Sequence, residues 1–254
     1  MTYAIPMPMF TYNAWVDEET FMDEMAKLHK LNPKLDVIDV LWRECNELKS
    51  DPNYKSDLPG EGRKWLLAEL SGQIVALSLE LSDDLAAVCS AYLESVVEKN
   101  KLVIEKIANW ELGKGHTFYD RVANDAKEAT RALGLDDTSV TSREQEELRQ
   151  RFVRIKDMRT KFWKWYTGYK HGQYATPIAL IVTRVDETQA QEWGLYLVPR
   201  PLRRDSKGKI HTEDRFINTV DNVDLFRQLA IECVSLSIQT RDRQYPKVFG
   251  HPLS

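Results

Sequence analysis

The chain has 254 residues, a formal net charge of -4 at pH 7 and three cysteines, so it can bury a core without disulfide bridges. Cys45, Cys89 and Cys233 lie far apart, and no apolar run approaches the roughly 20 residues of a bilayer span. The first residues contain neither a basic leader nor the apolar core of a signal peptide. These features predict a cytoplasmic protein and exclude a disulfide framework, a thiolate metal site and a transmembrane segment.

The charge is unevenly distributed along the chain. Residues 1–147 contain 16 Lys and Arg against 28 Asp and Glu, whereas residues 148–254 contain 19 against 11. Two interpretations are open. The acidic and basic halves attract each other within one fold, or the basic half presents a positive face to an anionic partner.

Helical periodicity dominates the first half. An irregular arm is expected over residues 1–16, helices over 17–31 and 37–48, and a Pro- and Gly-containing loop over 49–62. Apolar residues then recur every three or four positions from 63 to 110. One long helix over this span is one alternative. We favour two helices or a kink, because Ser82 followed by two aspartates resembles a helix cap. Another helix is expected over 118–133, closed by Gly134.

A long basic helix is expected to follow. Ser142 and Gln145 fit a capping box, and the chain is expected to leave the helix through Gly172. One apolar face is expected to pack against the core, and it contains a single arginine: Leu148, Phe152, Ile155, Arg159, Phe162, Tyr166 and Tyr169.

The last third changes character. Strands are expected over 176–186, over 193–202 and within 209–219. The second is expected to be an edge strand, because Pro199 and Pro201 have no backbone N–H to donate. A helix capped by Asp221 is expected to run to Arg241, followed by a basic tail. The predicted fold class is α+β and mostly α: a bundle of five or six helices (1–172), a small antiparallel β insertion (173–220), and a C-terminal helix and tail (221–254) packing back as one domain.

Basic residues alternate with aromatic residues along the predicted basic helix. Phosphates require cations and unstacked bases require flat faces, so this pattern predicts RNA or another polyanion as partner. The candidate binding residues are Arg151, Arg154, Lys161, Trp163, Lys164 and Lys170. The alternative is a bundle helix whose aromatics are core and whose cations are solvated or paired with acids of the first half.

Arg159 lies in the middle of the apolar face, where a buried guanidinium requires an acceptor. Glu69, Glu80 or Glu98 would make it a structural ion pair, and a phosphate or carboxylate of a ligand is the alternative. Tyr166 and His171, near the end of the same helix, could contribute to proton transfer, although a helix-capping role also explains His171.

The ending "YTGYKHG" resembles the Tyr-x-x-x-Lys-His-Gly endings of HEPN-type helical bundle proteins, over this one helix end. The resemblance implies a bundle of long helices, often dimeric, that binds or cleaves RNA. Catalytic members use an Arg followed by four to six residues and a His, which Arg204 and His211 match here, although in a segment that resembles a hairpin turn. A ribonuclease is therefore the alternative function, and a homodimer is an expected assembly.

The chain contains no complete phosphate-loop, dinucleotide-binding or zinc motif, so no cofactor or metal is predicted. Three functions remain open: a protein that binds RNA or another polyanion, a nuclease or other hydrolase acting around Arg159, Tyr166 and His171, and a purely structural or interaction protein.

Overall fold

The computed structural model describes residues 19–23, 33–111, 114–170, 175–183, 188–197 and 216–253. The protein is mostly helical with a small three-stranded antiparallel sheet, which confirms the predicted α+β fold class. Residues 19–23 are helical, within the first predicted helix. The helices that follow are α1 (Pro33–Ser50), α2 (Gly62–Glu98), α3 (Val103–Ala108), α4 (Lys114–Asn124), α5 (Ala126–Ala132), α6 (Ser142–Lys170) and α7 (Val223–Phe249).

The helix α2 runs without interruption through Ser82, so the predicted break at that residue is wrong. The Ser82 hydroxyl donates a hydrogen bond to the carbonyl of Leu79 at 2.6 Å, as a serine inside a helix does. The helix ends instead at Lys99, whose φ of 54° is left-handed and whose backbone N–H donates to the carbonyl of Ser95. A residue of this conformation stops the helix and sends the chain into α3.

The boundaries of three other helices differ from the predictions. The Asp125 side chain accepts hydrogen bonds from backbone N–H groups at the start of α5. This cap divides the predicted helix over 118–133 into α4 and α5. The capping box of α6 lies one residue earlier than predicted: Thr141 and Glu144 exchange hydrogen bonds, with the Thr141 N–H at 2.8 Å from Glu144 Oε2. Pro33 begins α1, a position where the backbone N–H that proline lacks would form no hydrogen bond within the helix.

The last helix, α7, is longer than predicted. It starts at Val223 after Asn222, not after a cap at Asp221, and it continues through the segment expected to be a basic tail. Gly250, with a φ of 78°, ends it. Pro246 lies inside the helix, close to its C-terminal end.

The sheet has the order β1-β2-β3, with the strands β1 (Ala175–Thr183), β2 (Gln189–Leu197) and β3 (Phe216–Ile217). Strand β2 pairs with both neighbours, so the expectation that it is an edge strand is wrong; the two prolines behind that expectation lie outside the described residues. The central position requires a close approach at Gly194, where an added Cβ would lie 1.9 Å from the carbonyl oxygen of Ile217.

The sheet packs against α2 through small residues. A Cβ on Gly72 would lie 2.1 Å from Cδ1 of Leu195, so glycine allows β2 to approach the helix. Beside it, the Ser71 hydroxyl donates to Oγ1 of Thr219 at 2.7 Å. This contact closes one side of the main core.

The buried core is organised around α2, which packs along α7, with α1, α4, α5 and α6 around this pair. A smaller apolar cluster joins the C-terminal part of α2 to α3 and the end of α7. The three cysteines are free thiols, buried on α1, α2 and α7. No helix in the described ranges is long and apolar enough to cross a membrane.

Candidate functional site

Two side chains of opposite charge are buried together where α2, α4 and α6 meet. Arg159 of α6 is 1% exposed, and its Nη1 contacts Oδ1 of Asp83 on α2 as a buried ion pair. The same Nη1 donates a hydrogen bond to the Ser82 hydroxyl at 3.2 Å. The prediction that a buried acceptor faces Arg159 is confirmed, but the acceptor is Asp83 and not one of the three glutamates considered.

Aromatic rings enclose this ion pair. The Cζ atom of Arg159 lies 4.3 Å from the ring centre of Trp163 and 5.5 Å from that of Tyr119, within the range of cation–π attraction. Gly115, at the start of α4, leaves space for the pair, since an added Cβ would lie 2.6 Å from Nη2 of Arg159 and 2.9 Å from Oδ1 of Asp83. The site therefore depends on three helices from distant parts of the sequence.

Two tyrosines border the pair and keep their protons. Tyr119 donates its hydroxyl to the backbone carbonyl of Ser82 at 2.6 Å, and burial raises the pKa of its phenol well above the usual value. Burial, reinforced by the carboxylate of Asp83, also raises the pKa of Tyr166. Neither phenol can act as a base near neutral pH. Tyr166 is part of the buried main core at this position.

His116 belongs to the site, although its sequence context offered no sign of it. Its ring packs edge to face on Trp163, with 4.3 Å between the ring centres. Burial first, and then the positive charge of Arg159, lower the pKa of His116, so the neutral imidazole is favoured. The local sequence around this histidine contains no ligand spacing, and only the tertiary contact between α4 and α6 brings it to the site.

The candidate nucleic-acid-binding residues lie further along α6. Arg151 and Arg154 both contact Oε1 of Glu232 on α7, at 2.6 and 3.3 Å. The Arg154 side chain is 62% exposed. Lys161 is exposed, and its Nζ lies 5.1 Å from the ring centre of Phe162. These three cations are therefore on or near the surface.

Trp163 is half-buried against Arg159 and His116 and packs on the main core, while its neighbour Trp165, which is 4% exposed, lies inside that core. The side chains of Lys164 and Lys170 lie outside the described part of the molecule, as do Tyr169's side chain and the residues His171, Arg204 and His211. The predictions for these residues stay predictions.

The side chains of the described residues form no group of three or more His, Cys, Asp or Glu suited to a metal ion. Comparison of the chain with protein-family models, with curated proteins and with solved structures found no match. The resemblance to HEPN-type proteins therefore stays a prediction from one helix ending.

Proposed function

We propose that the protein binds a polyanion, with RNA as the favoured partner, through a basic face on α6 formed by Arg151, Arg154 and Lys161. The supporting observation is a local excess of positive charge. Arg151 and Arg154 share the single carboxylate of Glu232, which cannot neutralise two guanidinium groups. Lys161 has no ion-pair partner among the described residues. Phosphate groups would supply the missing negative charge.

The arrangement favours phosphate contacts over base stacking. The ring of Trp163 is already contacted by the guanidinium of Arg159 and by the imidazole of His116, so it has less free surface for a base. Phosphate contacts hold a nucleic acid without reading its sequence. The binding is thus expected to be weakly sequence-dependent and strongly salt-dependent.

A structural or interaction protein is the second candidate, favoured by ion pairs that connect the acidic half to the basic half. Lys156 contacts Asp120 at 2.7 Å, and Arg227 contacts Asp39 at 2.8 Å. In this alternative the cations of α6 stabilise the fold and have no ligand. The ribonuclease alternative depends on Arg204 and His211, outside the described residues.

The test is the binding of fluorescently labelled single-stranded RNA, followed by anisotropy over a series of KCl concentrations. Arg154→Glu should weaken binding and lower the slope of log K against log salt by about 1 or more. Glu232→Gln should strengthen binding, because it releases two guanidinium groups from their shared carboxylate.

Arg143→Glu is the matched control. Arg143 lies on the same helix, its side chain is 89% exposed, and its partner is Glu147, one turn away. The proposal fails if RNA does not bind at low salt, or if Arg143→Glu weakens binding as much as Arg154→Glu. Absence of RNA binding by a folded protein would favour the second candidate.

A further inference from the structure

A cavity of about 290 Å³ lies between the C-terminal half of α2 and α3, and reaches Lys114 at the start of α4. Its walls include the apolar side chains of Ala91 and Leu102 and the indole of Trp110. Small-molecule pockets occupy roughly 300–1,000 Å³, so this cavity lies at the lower limit of that range. The volume restricts a ligand to about the size of a single amino acid.

Trp110 places an unpaired hydrogen-bond donor at this cavity. Its indole Nε1 is buried, and no atom of the described residues accepts a hydrogen bond from it. Buried N–H groups normally have a partner, so a ligand in the cavity would supply the acceptor that Trp110 lacks.

The charges around the cavity fall into two groups. Lys106 is neutralised by Glu94 and Glu98, with Nζ–Oε2 distances of 3.4 and 2.6 Å. Lys114 and Glu105 also line the cavity, and neither side chain has a partner among the described residues. The cavity therefore combines one exposed unpaired cation, one exposed unpaired anion, a buried indole N–H and apolar walls.

We propose that this cavity binds a small zwitterion with an apolar body, of the class of hydrophobic α-amino acids. Lys114 would pair with the ligand carboxylate and Glu105 with its ammonium group. The indole N–H of Trp110 would donate to the carboxylate, and the apolar body would lie against Ala91 and Leu102. A neutral planar molecule such as a nucleoside would fill the volume but would form an ion pair with neither protein charge. This site is separate from the basic face on α6, and the inference does not depend on RNA binding.

The first experiment compares ligands by isothermal titration calorimetry on the full chain. L-phenylalanine, L-leucine, L-methionine and L-tryptophan are titrated beside three analogues of altered charge. The analogues are 3-phenylpropanoate, which lacks the ammonium group, phenethylamine, which lacks the carboxylate, and adenosine, which has neither charge. At least one amino acid should bind with one-to-one saturation, and each analogue should bind at least about tenfold more weakly because one ion pair or both are lost.

The second experiment locates the site. Lys114→Met and Glu105→Gln should each weaken amino-acid binding by about tenfold, and Lys114→Met should abolish the preference for L-phenylalanine over phenethylamine. Lys127→Met is the control, because Lys127 is exposed on α5 and does not line the cavity. Circular dichroism verifies that each variant is folded.

Three results would overturn the proposal: no saturable binding of any of the four amino acids, adenosine or a singly charged analogue binding as tightly as the best amino acid, or equal losses in Lys127→Met and Lys114→Met. Any of these results leaves the RNA experiment unaffected, so failure of one proposal is distinguishable from failure of the other.

Discussion

Arg159 shows how far one residue could be interpreted from the sequence. A guanidinium within an apolar helix face predicts a buried acceptor, and the structure confirms that inference. The identity of the acceptor could not be predicted, because Asp83 follows Ser82 in a pattern that has the same local chemistry as a helix cap. Asp83 lies 76 residues from Arg159, and nothing in its own segment indicates that distant contact.

Removing one member of this buried pair should be far more costly than removing both. Arg159→Met leaves the Asp83 carboxylate buried without its guanidinium, and we expect it to lower the free energy of unfolding by about 3–5 kcal/mol. The double variant Asp83→Leu with Arg159→Met should recover most of that loss, because neither charge is then desolvated. Urea denaturation followed by circular dichroism measures both values.

The exposed pair Arg143 and Glu147 provides the comparison, since its loss should change the free energy of unfolding by less than about 1 kcal/mol. If Asp83→Leu and Arg159→Met were additive in the double variant, the two side chains would not be energetically coupled and the ion pair would have no stabilising role.

At the scale of elements, periodicity predicted the existence of the helices and strands better than their ends. The apolar repeat of α2 was evident, but its true end at Lys99 depends on a left-handed backbone conformation that a lysine seldom adopts. The central position of β2 in the sheet also could not be predicted from the sequence. Prolines beyond a strand suggest an edge, whereas the order of strands is decided by tertiary pairing such as the contact of Gly194 with β3.

The docking of the sheet on α2 should depend on the absence of a side chain at Gly72. Gly72→Ala places a Cβ against Leu195, and we expect it to lower the free energy of unfolding by about 1–3 kcal/mol through overpacking. Leu195→Ala should cost less in the Gly72→Ala background than in the wild type, because the added methyl occupies space that the leucine vacates. A double-mutant cycle by urea denaturation measures this coupling, and equal costs in both backgrounds would contradict it.

At the scale of the whole molecule, α7 connects the two parts of the core. Phe226 and Cys233 lie in the main cluster, whereas Tyr245 and Phe249, near the C-terminal end, lie in the smaller one. The sequence suggested that this helix ended at Arg241, since the residues beyond it are rich in charge and include a proline. Their aromatic side chains nevertheless bury against α2 and α3.

Truncation distinguishes a basic tail from a structural helix end. Deleting the residues after Arg241 removes Tyr245 and Phe249 from the smaller cluster, and each lost aromatic side chain should cost about 3–5 kcal/mol. We therefore expect a large fall in Tm or failure to fold, measured by thermal denaturation. Deleting only the residues after Gly250 keeps both aromatics and should have a small effect. Equal Tm values for the two truncations would show that this segment contributes nothing to the fold.

The rates at which the three buried thiols are alkylated report where the protein unfolds locally. Burial raises the pKa of Cys45 to about 11 and that of Cys89 to about 12, and it raises the pKa of Cys233 as well. The reactive thiolate is therefore scarce at neutral pH, and alkylation requires local or global unfolding. Because each thiol belongs to a different helix, the order in which the three react reports which helix separates from the core first.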